Sequence, residues 1–240
     1  MRVDIQLIPV PPNPDKLPNR TVVVIDILRA GSVIVHALSQ GATEVIPVTT
    51  VEEAFDRGKT FPPGTTLLGG ERGSRKIEGF DLGNSPGEYT AERVRGKRVI
   101  LTTTNGTKAF HLVSAAAEVL VGSFFNVTET ANRCLQVGRD ILLFASGIRG
   151  YFSLEDSVFG GMLVDRMLRR AGKSIHLSDA SRAAHVLYQR FEGNLVEAFL
   201  LSNHGKDLVE LGLGDDLACC SKIDQTTLVP IFKDGVIRAS

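Results

Sequence analysis

Residues Thr21–Leu28 read Thr-Val-Val-Val-Ile-Asp-Ile-Leu, a β-branched run that is apolar on both of its alternating faces. A strand of that kind has no side to give to water. It belongs inside a parallel sheet that is covered by helices on both sides. Its one acidic residue, Asp26, is costly to bury without a partner. An interior strand with a lone carboxylate near its end therefore sets the fold class and marks the first place to look for chemistry.

The rest of the chain keeps to the same alternation. Val3–Ile8 alternates as a half-buried edge strand does, and Glu44–Val48, Arg98–Thr103, Glu118–Gly122 and Asp140–Ala145 are short strand-like runs. Between them, helical patterning follows Arg29 and runs over Val51–Arg57, Lys108–Ala116, Val127–Leu135, Leu154–Ala171, Ser181–Gln189, Leu195–Leu201 and His204–Leu211. Five of the ten prolines lie in the first 20 residues, so Pro9–Asn19 reads as a connection. The Gly- and Pro-rich stretch Phe61–Pro86 reads as one long functional loop, and Leu228–Arg238 as short extended pieces around a turn at Asp234-Gly235. The expected fold is α/β, three-layer α/β/α with a mainly parallel or mixed sheet, within a single domain over 1–240.

A displacement of 74 residues lays Gly41-Ala-Thr-Glu-Val-Ile on Ala115-Ala-Ala-Glu-Val-Leu, and Ala30-Gly-Ser on Thr104-Asn-Gly. The unit strand, polar loop, helix, strand, helix then occurs twice, in halves near 1–97 and 98–240. Chance is the alternative for so short a match. A true repeat would bring two similar strand-end loops together, where open α/β sheets bind ligands.

Composition narrows the function. With 27 basic and 27 acidic residues the net charge is zero, which gives no reason to expect nucleic acid or an anionic membrane as partner. Tryptophan is absent and aromatics are 6%, which disfavours stacking on single strands. No apolar run reaches the ~20 residues of a membrane helix. Three cysteines without zinc-type or disulfide spacing point to a reducing cytoplasm.

Four polar clusters fall at strand ends: Asp26–Ser32; Gly69-Gly-Glu-Arg-Gly with Gly79-Phe-Asp-Leu-Gly-Asn-Ser-Pro; Thr102–Thr107; and Ser146–Asp156. Thr103, Thr104, Asn105, Gly106 and Thr107 lead into a helix, where free amides favour an anion. Arg29, Arg72 and Arg149 offer guanidinium forks for phosphate, sulfonate or carboxylate. Asp26, Glu71, Asp81, Glu155 and Asp156 are hard oxygen ligands of the kind magnesium takes. Anion donors beside carboxylates describe a metal-assisted phosphoryl site. Helix capping by Ser153-Leu-Glu-Asp, and a simple strand end at Thr102–Thr107, are the plain alternatives. His36, His111 and His185 lie on helices without metal spacing and read as packing or surface residues. The Asp-x-Asp of haloacid-dehalogenase-type enzymes is absent, because Leu28 stands two residues past Asp26.

The clusters resemble the 2-phosphosulfolactate phosphatase family. The similar segments are Ile25-Asp-Ile-Leu-Arg-Ala, Gly69-Gly-Glu-Arg-Gly, Ile77-x-Gly-Phe-Asp-Leu-Gly-Asn-Ser-Pro-x-Glu-Tyr, Thr102-Thr-Thr-Asn-Gly-Thr and Ser146-Gly-x-Arg-Gly-x-Phe-Ser-Leu-Glu-Asp. Leu211-Gly-x-x-x-Asp with Cys220, Asp224 and Val229-Pro230 continues the likeness. The resemblance implies a magnesium-dependent hydrolysis of 2-phospho-3-sulfolactate to 3-sulfolactate and phosphate, a step of coenzyme M biosynthesis in methanogens. The mechanism expected from these residues takes Asp26, Arg29, Arg149 and Asp156 as catalytic. Arg72, Asn84, Ser85 and Thr103–Thr107 would bind substrate, and Mg2+ would sit on some of Asp26, Glu71, Glu155 and Asp156. One departure is Gly31, where the family usually has Thr or Ser after Arg-Ala, with Ser32 as the nearest substitute hydroxyl.

The partner expected is thus a small anionic phosphate ester, with a homodimer as the usual assembly. Another phosphate ester as substrate is the alternative within the class. A non-catalytic phospho-ligand module and a structural oligomer-forming protein are the rivals outside it. The first has little use for so many carboxylates, and the second leaves Asp26 and the glycine-dense loop unexplained.

Overall fold

The computed structural model describes residues 1–171 and 174–239. The chain opens with β1 (Arg2–Gln6), and a 3-10 turn over Pro14–Asn19 leads into β2 (Arg20–Ile25), α1 (Ala30–Ser39), β3 (Glu44–Pro47) and α2 (Val51–Lys59). Then come β4 (Thr66–Arg72), β5 (Arg75–Lys76), α3 (Ala91–Val94), β6 (Arg98–Thr102), α4 (Gly106–Leu112), β7 (Glu118–Gly122) and α5 (Val127–Val137). The last part holds β8 (Asp140–Ala145), α6 (Leu154–Ala171), β9 (His176–Leu177), α7 (Asp179–Phe191), α8 (Leu195–Leu201), α9 (Asn203–Glu210), α10 (Asp215–Cys220), β10 (Ile231–Lys233) and β11 (Val236–Arg238).

All eleven strands join one sheet, in the order β5-β4-β6-β3-β11-β10-β7-β2-β8-β1-β9. Its long strands pair in parallel, and the antiparallel contacts belong to the hairpins β4–β5 and β10–β11 and to the flanks of the latter. Alternation along β2 shows the layering. Val22 and Val24 pack with α1 and α4, whereas Val23 and Ile25 pack with α5, α6, α7 and α8. A smaller cluster around Ile46, Ala54, Phe80 and Ile100 seats α2 on the face opposite α1. The three-layer α/β architecture follows, with β2 buried on both faces as its composition demands.

Two readings are corrected. The stretch Phe61–Pro86 is not one loop, because β4 runs through it and pairs with β6 from Thr66↔Arg98 to Gly70↔Thr102. Gly69 and Gly70 hid the strand. Gly70 has φ 141°, and a Cβ there would overlap the Thr102 carbonyl, so these glycines mark a close approach of backbones. Nor is β1 the edge strand. It alternates as expected, with Val3 and Ile5 buried, but β8 flanks it on one side and the two-residue β9 on the other.

The succession strand, helix, strand, helix does occur twice, as β2-α1-β3-α2 and β6-α4-β7-α5. Each first strand pairs with the second strand of the other set, β2 with β7 and β6 with β3. The hairpin β10–β11 fills the place between them. In a flat sheet β2 and β6, five places apart, would be separated by about 24 Å. Yet a Cβ on Gly106, four residues past β6, would meet both Asp26 and Ala30, just after β2, so the loop after β6 reaches across and the two strand-end loops share one site.

Candidate active site

Loops at the carboxyl ends of β2, β4, β6 and β8 converge with the start of α9 on a small cavity of about 60 Å³. Of the residues singled out from sequence, Asp26, Arg29, Glu71, Asn84, Thr103, Thr104, Asn105 and Arg149 line it. Arg72, Ser85, Gly106, Thr107, Glu155 and Asp156 stand behind or beside it. His204 and Asp207 join the lining from α9, and no local sequence signal marks them.

Asp26 is buried at the end of β2 and turns the chain into α1. Its Oδ1 accepts the Ala30 amide at 3.0 Å, while its backbone carbonyl accepts the Gly31 amide at 2.8 Å. A Cβ at residue 31 would stand 2.7 Å from that carbonyl, so the glycine lets α1 start close against Asp26. The Ser32 hydroxyl does not replace a missing donor at the cavity, because it is buried and donates to the Ile27 carbonyl at 2.9 Å. Burial pushes the Asp26 carboxyl up to about 6. His204, the adjacent Ser146 hydroxyl and the Ala30 amide pull it down, and the Glu71 charge adds to the rise.

Behind Asp26 lies the first turn of α6. Ser153 caps that helix by accepting the Asp156 amide at 3.2 Å, as the plain reading of Ser-Leu-Glu-Asp expects. The Asp156 carboxylate then accepts the Ile27 amide at 2.9 Å and the Gly147 amide at 3.1 Å, tying the β2 and β8 loops together. Burial, then the Asp26 and Glu155 charges, raise its carboxyl well above the usual range. Glu155, also buried, faces His204 Nδ1 at 3.4 Å. Burial opposes its ionisation, but the facing imidazole prevails and holds the carboxyl below its ordinary value.

The arginines divide. Arg29 is almost wholly buried and its guanidinium is a clamp: Nη1 donates to Asp216 at 2.7 Å and to Ser85 Oγ at 3.0 Å, and Nη2 to the Ser74 carbonyl at 3.0 Å. Only its Nε is buried without a partner. Ser85 also donates to Asp216, at 2.7 Å, so both residues are framework as well as site. Arg72 turns away from the cavity to the Glu71 carbonyl at 2.7 Å, Thr102 Oγ1 at 3.0 Å and the Thr49 carbonyl at 3.3 Å. Arg149, mostly exposed at φ 51°, reaches Asp207 at 3.3 Å over the mouth of the cavity.

Glu71 uses both carboxylate oxygens on backbone, accepting the Thr104 amide at 2.7 Å and the Ser74 amide at 2.8 Å. The Thr107 amide is taken by Thr103 Oγ1 at 3.2 Å. The amides of Asn105 and Gly106 are left without a partner among the described residues. Asn105 Oδ1 accepts the Arg149 amide at 3.1 Å, and Asn84 Oδ1 is buried and unpartnered. Gly106 is the closest point of the two loops, and a Cβ there would overlap Asp26 Oδ2 and crowd the Ala30 Cβ.

Among the described residues no three carboxylate, histidine or cysteine side chains form a ready-made metal cage. The arrangement suits a cation that takes few protein ligands and completes its shell with water and substrate oxygens, as magnesium does. The backbone engages only one oxygen of Asp26, and Glu155 Oε2 is buried with no partner. Those are carboxylate oxygens around the cavity that no backbone amide engages. The oxygens of Glu71 and Asp156 already serve backbone amides.

The sequence profile of 2-phosphosulpholactate phosphatase matches residues 7–235. A protein of Caldanaerobacter subterraneus subsp. tengcongensis named "Probable 2-phosphosulfolactate phosphatase" is 42% identical over 228 residues, 95% of this chain and 94% of the relative. One of the same name from Clostridium novyi is 43% identical, with 91% of both chains covered. Another, from Thermotoga petrophila, is 42% identical over 90% of this chain and 91% of its own. Matches of this extent take in every loop of the cavity, and the chain belongs to the 2-phosphosulfolactate phosphatase family.

Proposed function

We propose that this chain is a magnesium-dependent phosphoric monoester hydrolase that converts 2-phospho-3-sulfolactate to 3-sulfolactate and phosphate. The observation that supports it best is the pair Asp26 and Asp156: two buried carboxyls whose surroundings push both upward, one beside the cavity and one behind it. Both carboxyls hold a proton more tightly than a free aspartate does, Asp26 up to about 6, a setting that suits acid–base or nucleophilic work at Asp26.

In this reading the phosphoryl group enters the small cavity and meets Asp26. The Asp26 carboxylate attacks phosphorus itself or orients the water that does; the ester P–O bond breaks and its oxygen takes a proton from water to leave as the alcohol, and an aspartyl phosphate formed by direct attack is hydrolysed by a second water to phosphate and free Asp26. Arg149 and the Asn105 and Gly106 amides receive charge on the phosphoryl oxygens. Asp156 and Arg29 act as positioning residues, since their groups are committed to the loops that frame the site. Asp26 and Glu155 would hold magnesium, which would supply charge neutralisation at the phosphoryl oxygens. We place the reaction in the cytoplasm and expect a homodimer, with no nucleic acid or membrane partner; no described helix is long and apolar enough to cross a membrane.

The test is phosphate release from 2-phosphosulfolactate and a panel of other phosphate esters, with magnesium and with EDTA. The reading expects magnesium-dependent turnover that favours the sulfonated ester. Turnover of other esters alone would remove the substrate and keep the phosphatase. Folded protein that releases no phosphate from any ester would end the enzymatic reading.

A further inference from the structure

A second cavity, of about 350 Å³, adjoins the first and shares Thr104, Asn105 and Arg149 with it. Its remaining wall includes Lys108, Ser146 and Leu112. The size matters, because the acid-lined cavity has only about 60 Å³ and room for little beyond a phosphoryl group. Whole small-molecule sites run to roughly 300 Å³ and more. The second space is where the remainder of a substrate can lie.

Charge selects what that remainder is. In the first cavity Arg29 is paired with Asp216, Arg149 with Asp207 and His204 with Glu155, and Asp26 and Glu71 are acidic. Across both cavities Lys108 is the one cation with no carboxylate partner among the described residues. It projects from α4 one turn before Leu112, on the same helix face, and it is exposed. One buried hydroxyl is also unspent: Thr104 Oγ1, from a residue common to both cavities, has no hydrogen-bond partner.

We propose that this second cavity is the subsite for the non-reacting anionic end of the substrate, a sulfonate or carboxylate, with Lys108 as its charge partner. The proposal rests on the phosphatase reading and names what that reading leaves open, namely which residue selects an ester with a charged tail. The hydroxyl of Thr104 supplies a second donor in the same cavity. Leu112 and Ala109 form the apolar side against which a short carbon chain lies.

The test separates binding from turnover. Titration calorimetry of the full chain with 3-sulfolactate, lactate and 2-hydroxyethanesulfonate reads the subsite without any reaction. Binding of 3-sulfolactate is expected to weaken about tenfold in Lys108→Ala and to be largely retained in Lys108→Arg, as for a charge-assisted contact. The single-anion ligands tell whether sulfonate or carboxylate is the group held. In kinetics, Lys108→Ala is expected to raise KM for 2-phosphosulfolactate by a similar factor and to leave KM for phenyl phosphate, which has no charged tail, unchanged. Equal binding of 3-sulfolactate by wild type and Lys108→Ala, or no binding by wild type, overturns the subsite. Loss of phosphatase activity with Lys108-dependent binding intact overturns the reaction and leaves the subsite standing.

Discussion

The guanidinium of Arg29 and the carboxylate of Asp216 meet at 2.7 Å across 187 positions of sequence, with side chains only 2% and 9% exposed. The pair ties the loop after β2 to α10, and through Ser74 and Ser85 to the β4–β5 turn and the Asn84 loop. Removing one partner strands a buried charge, which costs about 3–5 kcal/mol. Asp216→Ala is therefore expected to lower stability by that order in urea denaturation. Ser85→Ala should cost about 1 kcal/mol, the worth of an ordinary hydrogen bond. A double-mutant cycle on Arg29 and Asp216 should show strong coupling; additive losses would mean the pair is incidental.

Asp26→Asn separates function from stability. A buried carboxyl raised from 3.8 to about 6 binds its proton more tightly when folded, so it favours the fold at low pH. That support is lost as pH rises through the window from 3.8 to about 6, leaving a penalty of about 3 kcal/mol above it. The asparagine, which carries no charge, should melt higher than wild type at pH 8 in metal-free buffer and no higher at pH 4. Turnover should fall by about 1,000-fold or more, the scale seen when a central catalytic group is lost.

The pH profile probes the metal assignment. A cation on Asp26 favours its charged form, so the acidic limb of kcat/KM should lie below 6 at saturating magnesium. It should climb toward 6 as magnesium is lowered. A limb that stays fixed over a wide range of magnesium would remove Asp26 from the metal's ligands.

Gly106→Ala places a methyl where Asp26 Oδ2 and the Ala30 Cβ already stand. Displacing the carboxylate by about 1 Å is enough to cost roughly 100-fold in rate. Circular dichroism should remain native while kcat falls.

Glu71→Gln should act through the loops it ties. One of its two amide partners, Thr104 or Ser74, would face an NH2 group in place of an oxygen. A loss of about 1–3 kcal/mol is expected for the unsatisfied donor, measured by thermal unfolding. Amide exchange should quicken at Ser74 or Thr104 and not in β8.

Strands that bury both faces were legible because composition alone distinguishes them: Glu118–Gly122 and Asp140–Ala145 hold to the residue. The loops at their ends were legible for the same reason, since polar residues after an apolar run have few places to go. β4 escaped notice because backbone contact with β6 calls for glycine, and glycine looks like a loop when its neighbour is unknown. His204 and Asp207 escaped because they reach the site from α9 by tertiary packing, with no motif around them. Arg72 and Arg29 show the converse. Sequence marks a guanidinium near the site and says nothing of which carbonyls and carboxylates have already claimed it.

The hairpin of β10 and β11 occupies the middle of the sheet, between β7 and β3, although it follows all the other strands in sequence. The ribosome delivers domains from the amino end, at about 5–20 residues per second. Until Ile231–Arg238 has emerged, β2–β7 and β3–β6 are two wings with open inner edges, each a template for mispairing. Asp26 and Gly106 sit on opposite wings. Closure of the sheet over Ile231–Arg238, far beyond both loops in sequence, is what ties the wing of Asp26 to the wing of Gly106.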